Sequence, residues 1–167
     1  MIKRVKQFIR GMFARLSGKD YNFLTDYLTK LELDLFLSMS RYDCKHAVEV
    51  ARYLADKGAS LELVRAGLLH DIGKAECPEL TLTRRSIAVF LEWRAPEDAQ
   101  FLADRGRGKL AYAVYVHKNH PELGARILEG MNSNPHTIML VRYHQYGSVP
   151  EEMRRDLEWL RDADERF

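Results

Sequence analysis

The stretch LELVRAGLLHDIGK at residues 61–74 places an ionisable pair, His70 and Asp71, directly after two leucines. Its apolar residues recur at helical spacing, and Ser60 can cap a helix that begins immediately after it. Burying an imidazole and a carboxylate together costs free energy unless something replaces their lost hydration. A divalent cation does so, because it binds neutral imidazole nitrogen and carboxylate oxygen together. We expect Gly73 to loosen the end of this helix, so that both side chains can reach one ion.

Helical periodicity continues through nearly the whole chain, and no segment shows the sustained alternation that is typical of a half-buried strand. Residues 1–16 form one apolar stripe that Gly18 can stop, and residues 21–39 fit one helix or two short ones. The sequence therefore predicts an all-α fold. We expect a helical extension at residues 1–39, packed on a domain at residues 40–167.

Two helix starts near candidate histidines can be predicted from local sequence. Asp43 is the expected N-cap of an amphipathic helix that ends at Gly58. His120 and Pro121 resemble an N-cap followed by proline at the first helical position, which predicts a helix from there to Gly130. Both helices would then carry a histidine in or next to their first turns.

Composition and charge favour a folded cytoplasmic protein. The chain has 167 residues, of which 46% are hydrophobic and 30% charged, and its net charge is +2. Residues 1–20 carry six basic residues and one acidic residue, whereas the remainder is slightly acidic, so we expect neither nucleic acid nor a membrane as a partner. The basic segment would pack on the domain or against a second subunit in a homodimer. Cys44 and Cys77 form no CxxC pair, and we expect two reduced thiols.

The segment LLHDIGK at residues 68–74 resembles the signature of the HD superfamily of metal-dependent phosphohydrolases. The segments DCKHAVEVARYL and LRDADERF resemble that superfamily's first and last elements, and the resemblance covers residues 40–167. It implies an HD-domain helical bundle, with an extra N-terminal helical segment, in which one divalent ion is held by His46, His70, Asp71 and Asp164. Asp162 is the alternative to Asp164.

Two further motifs are similar to those of HD members that hold two metals. They are HPELGARIL at residues 120–128 and VRYHQYG at residues 141–147. They imply that His120 and His144 bind a second ion, with Asp71 able to bridge the pair. Mixed imidazole and carboxylate ligands suit Fe, Mn, Zn, Co or Ni, and do not select among them.

The same motifs narrow the comparison within the superfamily. They are similar to motifs of bacterial dinucleoside-polyphosphate hydrolases and of HD-GYP cyclic-dinucleotide phosphodiesterases. HQYGSVP lacks the longer histidine-glutamate and glycine-tyrosine-proline run of the second group, so cleavage of cyclic dinucleotides is not favoured. The sequence ahead of His46 also resembles the leader of a set of uncharacterised bacterial HD proteins, which supports the family and adds no activity.

The resemblance implies hydrolysis of a phosphomonoester or phosphoanhydride bond in a small, nucleotide-like substrate. Asp71 and Lys74 are the expected catalytic residues: Asp71 as a bridging ligand, and Lys74 as a point charge for a phosphate, with a solvated lysine as the equally weighted alternative. We expect substrate specificity to come from residues 75–116. The alternative function is a non-catalytic signalling or binding module that retains a metal site.

Several other side chains have chemistry that suits such a substrate, but a simpler use is expected for most of them. For His117, a role in supporting His120 and no role at the site are equally expected. His136 fits the start of a helix. The simpler use is solvent exposure for the arginines Arg126 and Arg142, and core packing for the aromatic residues Trp93, Tyr112, Tyr115 and Tyr143.

Overall fold

The computed structural model describes residues 15–76, 82–147 and 149–167, with the backbone alone for residues 82–86. These residues form nine α-helices and no strand, which confirms the predicted all-α class. The helices are α1 Gly18–Tyr27, α2 Lys30–Ser38, α3 Arg41–Asp56, α4 Leu61–Leu69, α5 Leu82–Arg94, α6 Pro96–Arg105, α7 Lys109–Gly130, α8 Pro135–Tyr143 and α9 Arg154–Arg166. Two short 3-10 helices lie at Ile72–Glu76 and Glu151–Met153.

The first two helices each begin at a capping box. The hydroxyl of Ser17 accepts a hydrogen bond from the N–H of Asp20, whose carboxylate accepts one from the N–H of Ser17 at 2.8 Å. Thr29 and Glu32 repeat this arrangement at the start of α2, so the stretch that fitted one helix or two forms two. Gly18, expected to stop a helix, is instead the first residue of α1. The segment 1–14 lies outside the described residues.

The predicted N-cap of α3 is wrong by one turn. The cap is Ser40, whose hydroxyl accepts a hydrogen bond from the N–H of Asp43 at 3.2 Å, and Asp43 lies buried within the first turn. Ser60 caps α4 as predicted, by accepting from the N–H of Leu63 at 3.2 Å. Gly58 has φ +74°, a left-handed conformation that suits glycine at the end of α3.

The predicted helix start at His120 and Pro121 is also wrong. Helix α7 is continuous for 22 residues, and Pro121 lies inside it. Proline has no N–H, so the carbonyl of His117 loses its usual helical donor. The helix tolerates this loss because another group donates to that carbonyl, as described below. None of the described helices combines the length and the apolar character needed to cross a membrane.

One hydrophobic core joins helices α1–α4, the second half of α7, α8 and α9. Leu24 of α1 and Phe36 of α2 are completely buried in the same core as Leu54 and Leu68. Full burial of each such side chain is worth about 1.5–3 kcal/mol relative to its exposure. Helices α1 and α2 therefore contribute to the same core as the helices that follow them.

Helices α5 and α6 and the first half of α7 meet through small residues. Ala88, Ala99 and Val114 are completely buried between them. Close contact through these residues leaves large aromatic side chains on the outside: Trp93 is 76% exposed, Tyr112 45% and Tyr115 37%. Core packing was the wrong expectation for those three, whereas Tyr143 is half-buried against the main core.

Candidate metal centre

Five helices, α3, α4, α7, α8 and α9, carry six histidine and aspartate side chains to one place at their ends or inner faces. These are the six residues that the motifs indicated as ligands. They form two groups, and within each group the candidate ligand atoms lie within 4.8 Å of one another. The first group is His46, His70 and Asp164, and the second is Asp71, His120 and His144.

The carboxylate of Asp164 is the centre of the first group. Its Oδ1 lies 2.8 Å from Nε2 of His46 and 3.4 Å from Nε2 of His70. Asp162, the alternative last ligand, is exposed and accepts a hydrogen bond from Nζ of Lys57 at 3.2 Å. Of the two aspartates, the structure therefore places Asp164 in the group.

The carboxylate of Asp71 lies between the two groups. Its Oδ1 is 3.2 Å from Nε2 of His120, and its Oδ2 is 3.6 Å from Nε2 of His70. The ring centroid of His144 is 5.3 Å from that of His70 and 5.3 Å from that of His120. His70 and Asp71, adjacent in sequence, thus belong to different groups, and Asp71 is the side chain that joins them.

Three of the histidines are held in one orientation by the same kind of hydrogen bond to the main chain. His70, His120 and His144 each place Nδ1 within 3.0 Å of the main-chain carbonyl three residues earlier. A carbonyl can only accept a hydrogen bond, so Nδ1 donates and Nε2 points into the centre. Those three Nε2 atoms are buried and have no hydrogen-bond partner. Buried nitrogens without partners, together with two carboxylates, fit a bound cation.

Pro121 explains the orientation of His120 and was missed as a functional residue in the sequence. Because Pro121 cannot donate to the carbonyl of His117, that carbonyl accepts from Nδ1 of His120 at 2.7 Å instead. The signal in the sequence was the His-Pro pair inside an apolar helical pattern, which also fits a helix start.

The α-helix α4 ends at Leu69, before Gly73, and Gly73 lets the segment that follows pack closely against α7. A Cβ atom added to Gly73 would lie 2.1 Å from the carbonyl oxygen of His120 and 2.7 Å from the backbone nitrogen of Gly124. Only a residue without a side chain lets the 3-10 helix at Ile72–Glu76 approach α7 this closely. That approach brings Asp71 next to His120.

Both carboxylates of the centre keep their negative charge. Burial would raise the pKa of Asp71, but the ammonium of Lys74 and the imidazole of His70 hold that pKa well below its usual value. Burial also opposes the ionisation of Asp164, yet the hydrogen bond from His46 and the positive charge of His70 lower its pKa. Anionic carboxylates are the form that binds a cation.

The histidines divide into two charge states. Burial would lower the pKa of His70, but the carboxylates of Asp71 and Asp164 raise it to about 9. Burial and the neighbouring imidazoles lower the pKa of His144 to about 3, and burial lowers that of His120. Without a cation His70 therefore carries a proton between two carboxylates, where a bound ion would supply the positive charge instead.

Lys74 and His117 lie beside the centre and outside both groups. Nζ of Lys74 is 2.6 Å from Oδ2 of Asp71. The ring of His117 pairs with Glu92, at 3.0 Å between Nε2 and Oε2, while its carbonyl holds His120. Burial and the charge of Lys74 lower the pKa of His117 to about 4.

The remaining candidates are held in surface pairs. Arg126 and Arg142 both pair with Glu122, at 2.9 Å and 2.8 Å. The side chain of Arg126 is 68% exposed, as expected, whereas that of Arg142 is only 20% exposed. His136 lies in the first turn of α8, as expected, and its Nε2 is 3.0 Å from Oδ2 of Asp156.

An open cleft of about 460 Å³ lies against the centre. His144 and Asp164, one from each ligand group, form part of its wall, and the rest includes Gln145, Tyr146 and Arg161. This cleft lies outside residues 75–116, where we had expected specificity to reside. One residue of each ligand group thus borders this cleft on the side of α9.

The match of a protein-family model agrees with this architecture. The model of the HD domain matches residues 44–166, a span that contains all six side chains of the two groups. Comparison with curated proteins and with solved structures gives no significant match.

Proposed function

The chain belongs to the HD domain family, and on that premise we propose that it is a phosphohydrolase that uses two divalent metal ions. Its substrate would be a small, nucleotide-like molecule with a phosphomonoester or phosphoanhydride bond. The observation that carries this proposal is the convergence of three buried, unpartnered Nε2 atoms on two ionised carboxylates. A centre built only for packing would leave no such nitrogens unpaired.

The residues divide naturally between the two ions. His46, His70 and Asp164 would hold the first, and His120 and His144 the second, with Asp71 shared. Bound ions of this kind lower the pKa of a coordinated water and stabilise the oxygens of a phosphoryl group. The metal is Fe, Mn, Zn, Co or Ni, since mixed imidazole and carboxylate ligands suit each of them.

Two features of the chain itself would serve the substrate. The cleft beside His144 and Asp164 would admit a phosphoryl group to the centre, and Tyr146 offers a ring on its wall. Lys74 neutralises Asp71 in this structure, through the 2.6 Å contact, and in the loaded enzyme its ammonium could bind a phosphoryl oxygen.

The test compares two aspartate variants on a panel of nucleoside phosphates, dinucleoside polyphosphates and a generic phosphoester. Asp71→Asn removes the shared carboxylate, and we expect it to abolish hydrolysis while the chain stays folded. Asp162→Asn is the matched control, because its carboxylate lies outside both groups, and it should keep the activity of the wild type. Wild-type protein that binds metal and hydrolyses nothing on the panel would favour a non-catalytic binding module.

A further inference from the structure

The guanidinium group of Arg161 closes the C-terminal end of α8. Its Nε donates to the carbonyl of His144 at 2.8 Å, and its Nη2 donates to the carbonyls of Tyr143, at 3.0 Å, and Tyr146. The last carbonyls of a helix have no donor within the helix and carry partial negative charge. A planar, permanently charged group with several donors matches this end of α8.

Arg161 also connects the two halves of the centre. It lies three residues before Asp164 on α9, so the two side chains share one face of that helix. Helix α9 is itself fixed, because Leu157 and Leu160 are completely buried in the main core. The group that holds the main chain of His144 is thus anchored on the helix that carries Asp164.

We propose that Arg161 is a positioning residue, which holds His144 in register with Asp164 so that the second ion can bind. This inference rests on the two-ion centre proposed above. The hydrogen bond from Nδ1 of His144 to the carbonyl of Val141, at 2.7 Å, sets the orientation of the His144 ring. Both of its partners belong to the C-terminal end of α8, so it does not fix that end relative to α9. Among the described residues, the hydrogen bonds that join this end of α8 to α9 all come from Arg161. Loss of Arg161 should therefore affect the ion held by Asp71, His120 and His144 more than the other ion.

The experiment is a titration of metal-free protein with Co²⁺, followed by the visible absorption of the bound ion. Wild type should bind two ions, and Arg161→Ala should bind one of them 10- to 100-fold more weakly, the usual effect of removing a group that orients a ligand. Its titration should resemble that of His144→Ala. Arg161→Lys keeps the charge but not the planar fork, so we expect an intermediate affinity.

Arg154→Ala is the matched control. Arg154 lies on the same helix and carries the same charge, but its guanidinium pairs with Glu151, at 2.8 Å. It should bind both ions as the wild type does. If Arg154→Ala weakens binding as much as Arg161→Ala, the effect is one of general charge and the positioning role is wrong.

The remaining outcomes separate this inference from the function on which it rests. Arg161→Ala that binds both ions with wild-type affinity would overturn the positioning role alone. Wild type that binds fewer than two ions would overturn the two-ion centre. Hydrogen exchange in the metal-free protein tests the hydrogen bonds from Arg161 directly, because peptides covering residues 143–147 should exchange faster in Arg161→Ala. Unchanged exchange in these peptides would also overturn the positioning role of Arg161.

Discussion

Nδ1 of His120 donates to the main-chain carbonyl of His117 at 2.7 Å, inside a continuous helix, and Pro121 leaves that carbonyl without a main-chain donor. A proline within a helix is therefore used to orient a candidate ligand. Its cost to the helix is large, since proline is about 3 kcal/mol less favourable than alanine at an interior position.

Pro121→Ala should separate stability from metal binding. The new N–H competes with His120 for the carbonyl of His117, so we expect the free energy of unfolding to rise by about 1 kcal/mol or more. The affinity for the second ion should fall about tenfold, because the imidazole is held less firmly. Urea unfolding and metal titration measure the two effects, and undiminished metal affinity would contradict this role of the proline.

Gly73→Ala should damage both the fold and the centre. The added Cβ meets main-chain atoms of His120 and Gly124, which cannot rotate away as a flexible side chain can. We expect a loss of about 1–3 kcal/mol in the free energy of unfolding, as for other overpacked sites, and weaker metal binding. Gly130→Ala is the control on α7, since no atom beyond the adjacent backbone of the helix lies within 4 Å of its Cβ position. Equal stability of the two variants would rule out the close-packing explanation.

Lys74→Met tests the predicted catalytic lysine. It removes an ammonium that lies 2.6 Å from Asp71 and keeps a chain of similar length. If Lys74 binds a phosphoryl oxygen, kcat should fall about 100-fold, the usual loss for one donor to a developing charge. The metal content should stay at the wild-type value. Lys118→Met is the control: it removes a lysine that pairs with Glu92, and it should keep the kcat of the wild type. If Lys74→Met also keeps the kcat of the wild type, Lys74 has no catalytic role.

Asp20 should make the stability of the metal-free protein depend on pH. Burial would raise the pKa of its carboxyl group, but hydrogen bonds from Ser17, the charge of Lys45 and a hydrogen bond from Arg52 lower that pKa below its ordinary value. Because the pKa of Asp20 is lower in the folded state, its ionised carboxylate stabilises the fold. This contribution to the free energy of unfolding is complete above the pKa of the unfolded chain, and it is lost as the pH falls through the pKa of the folded state.

Asp20→Asn should accordingly cost about 1 kcal/mol at pH 7, the usual loss for a weakened cap. The difference from wild type should shrink below about pH 4, where the carboxyl of the unfolded chain is protonated. Urea unfolding in the presence of a chelator measures both. Asp26→Asn, on the exposed side of the same helix, serves as the control, and a difference that is constant with pH would count against the charged role of Asp20.

The parts of this molecule that could be predicted from sequence are those with a local pattern. Helical periodicity indicated the all-α fold, and short motifs indicated the six residues that the structure brings together as two groups. Local rules misplaced the start of α3, because Ser40 and Asp43 are both good capping residues. They also misread Pro121, since a proline is acceptable at a helix start and, with a substitute donor, inside a helix.

The cleft and Arg161 could not be found in this way. The partners of Arg161 are main-chain carbonyls 15 to 18 residues away, which leave no trace in side-chain pattern. The wall of the cleft combines the residues that follow α8 with one face of α9, and only the packing of these helices brings the two together. The exposure of Trp93 likewise depends on small residues in α5 and α6 that let the helices meet on the other side.

The number of metal ions bound per chain is the decisive measurement for a two-metal centre. Protein purified without chelators and without a histidine tag would be analysed by elemental mass spectrometry, before and after reconstitution with Mn²⁺, Fe²⁺, Co²⁺, Ni²⁺ and Zn²⁺. We expect two equivalents of a divalent transition metal for the wild type and no more than one for His144→Ala. A wild-type chain that binds no metal, even after reconstitution, would contradict this expectation.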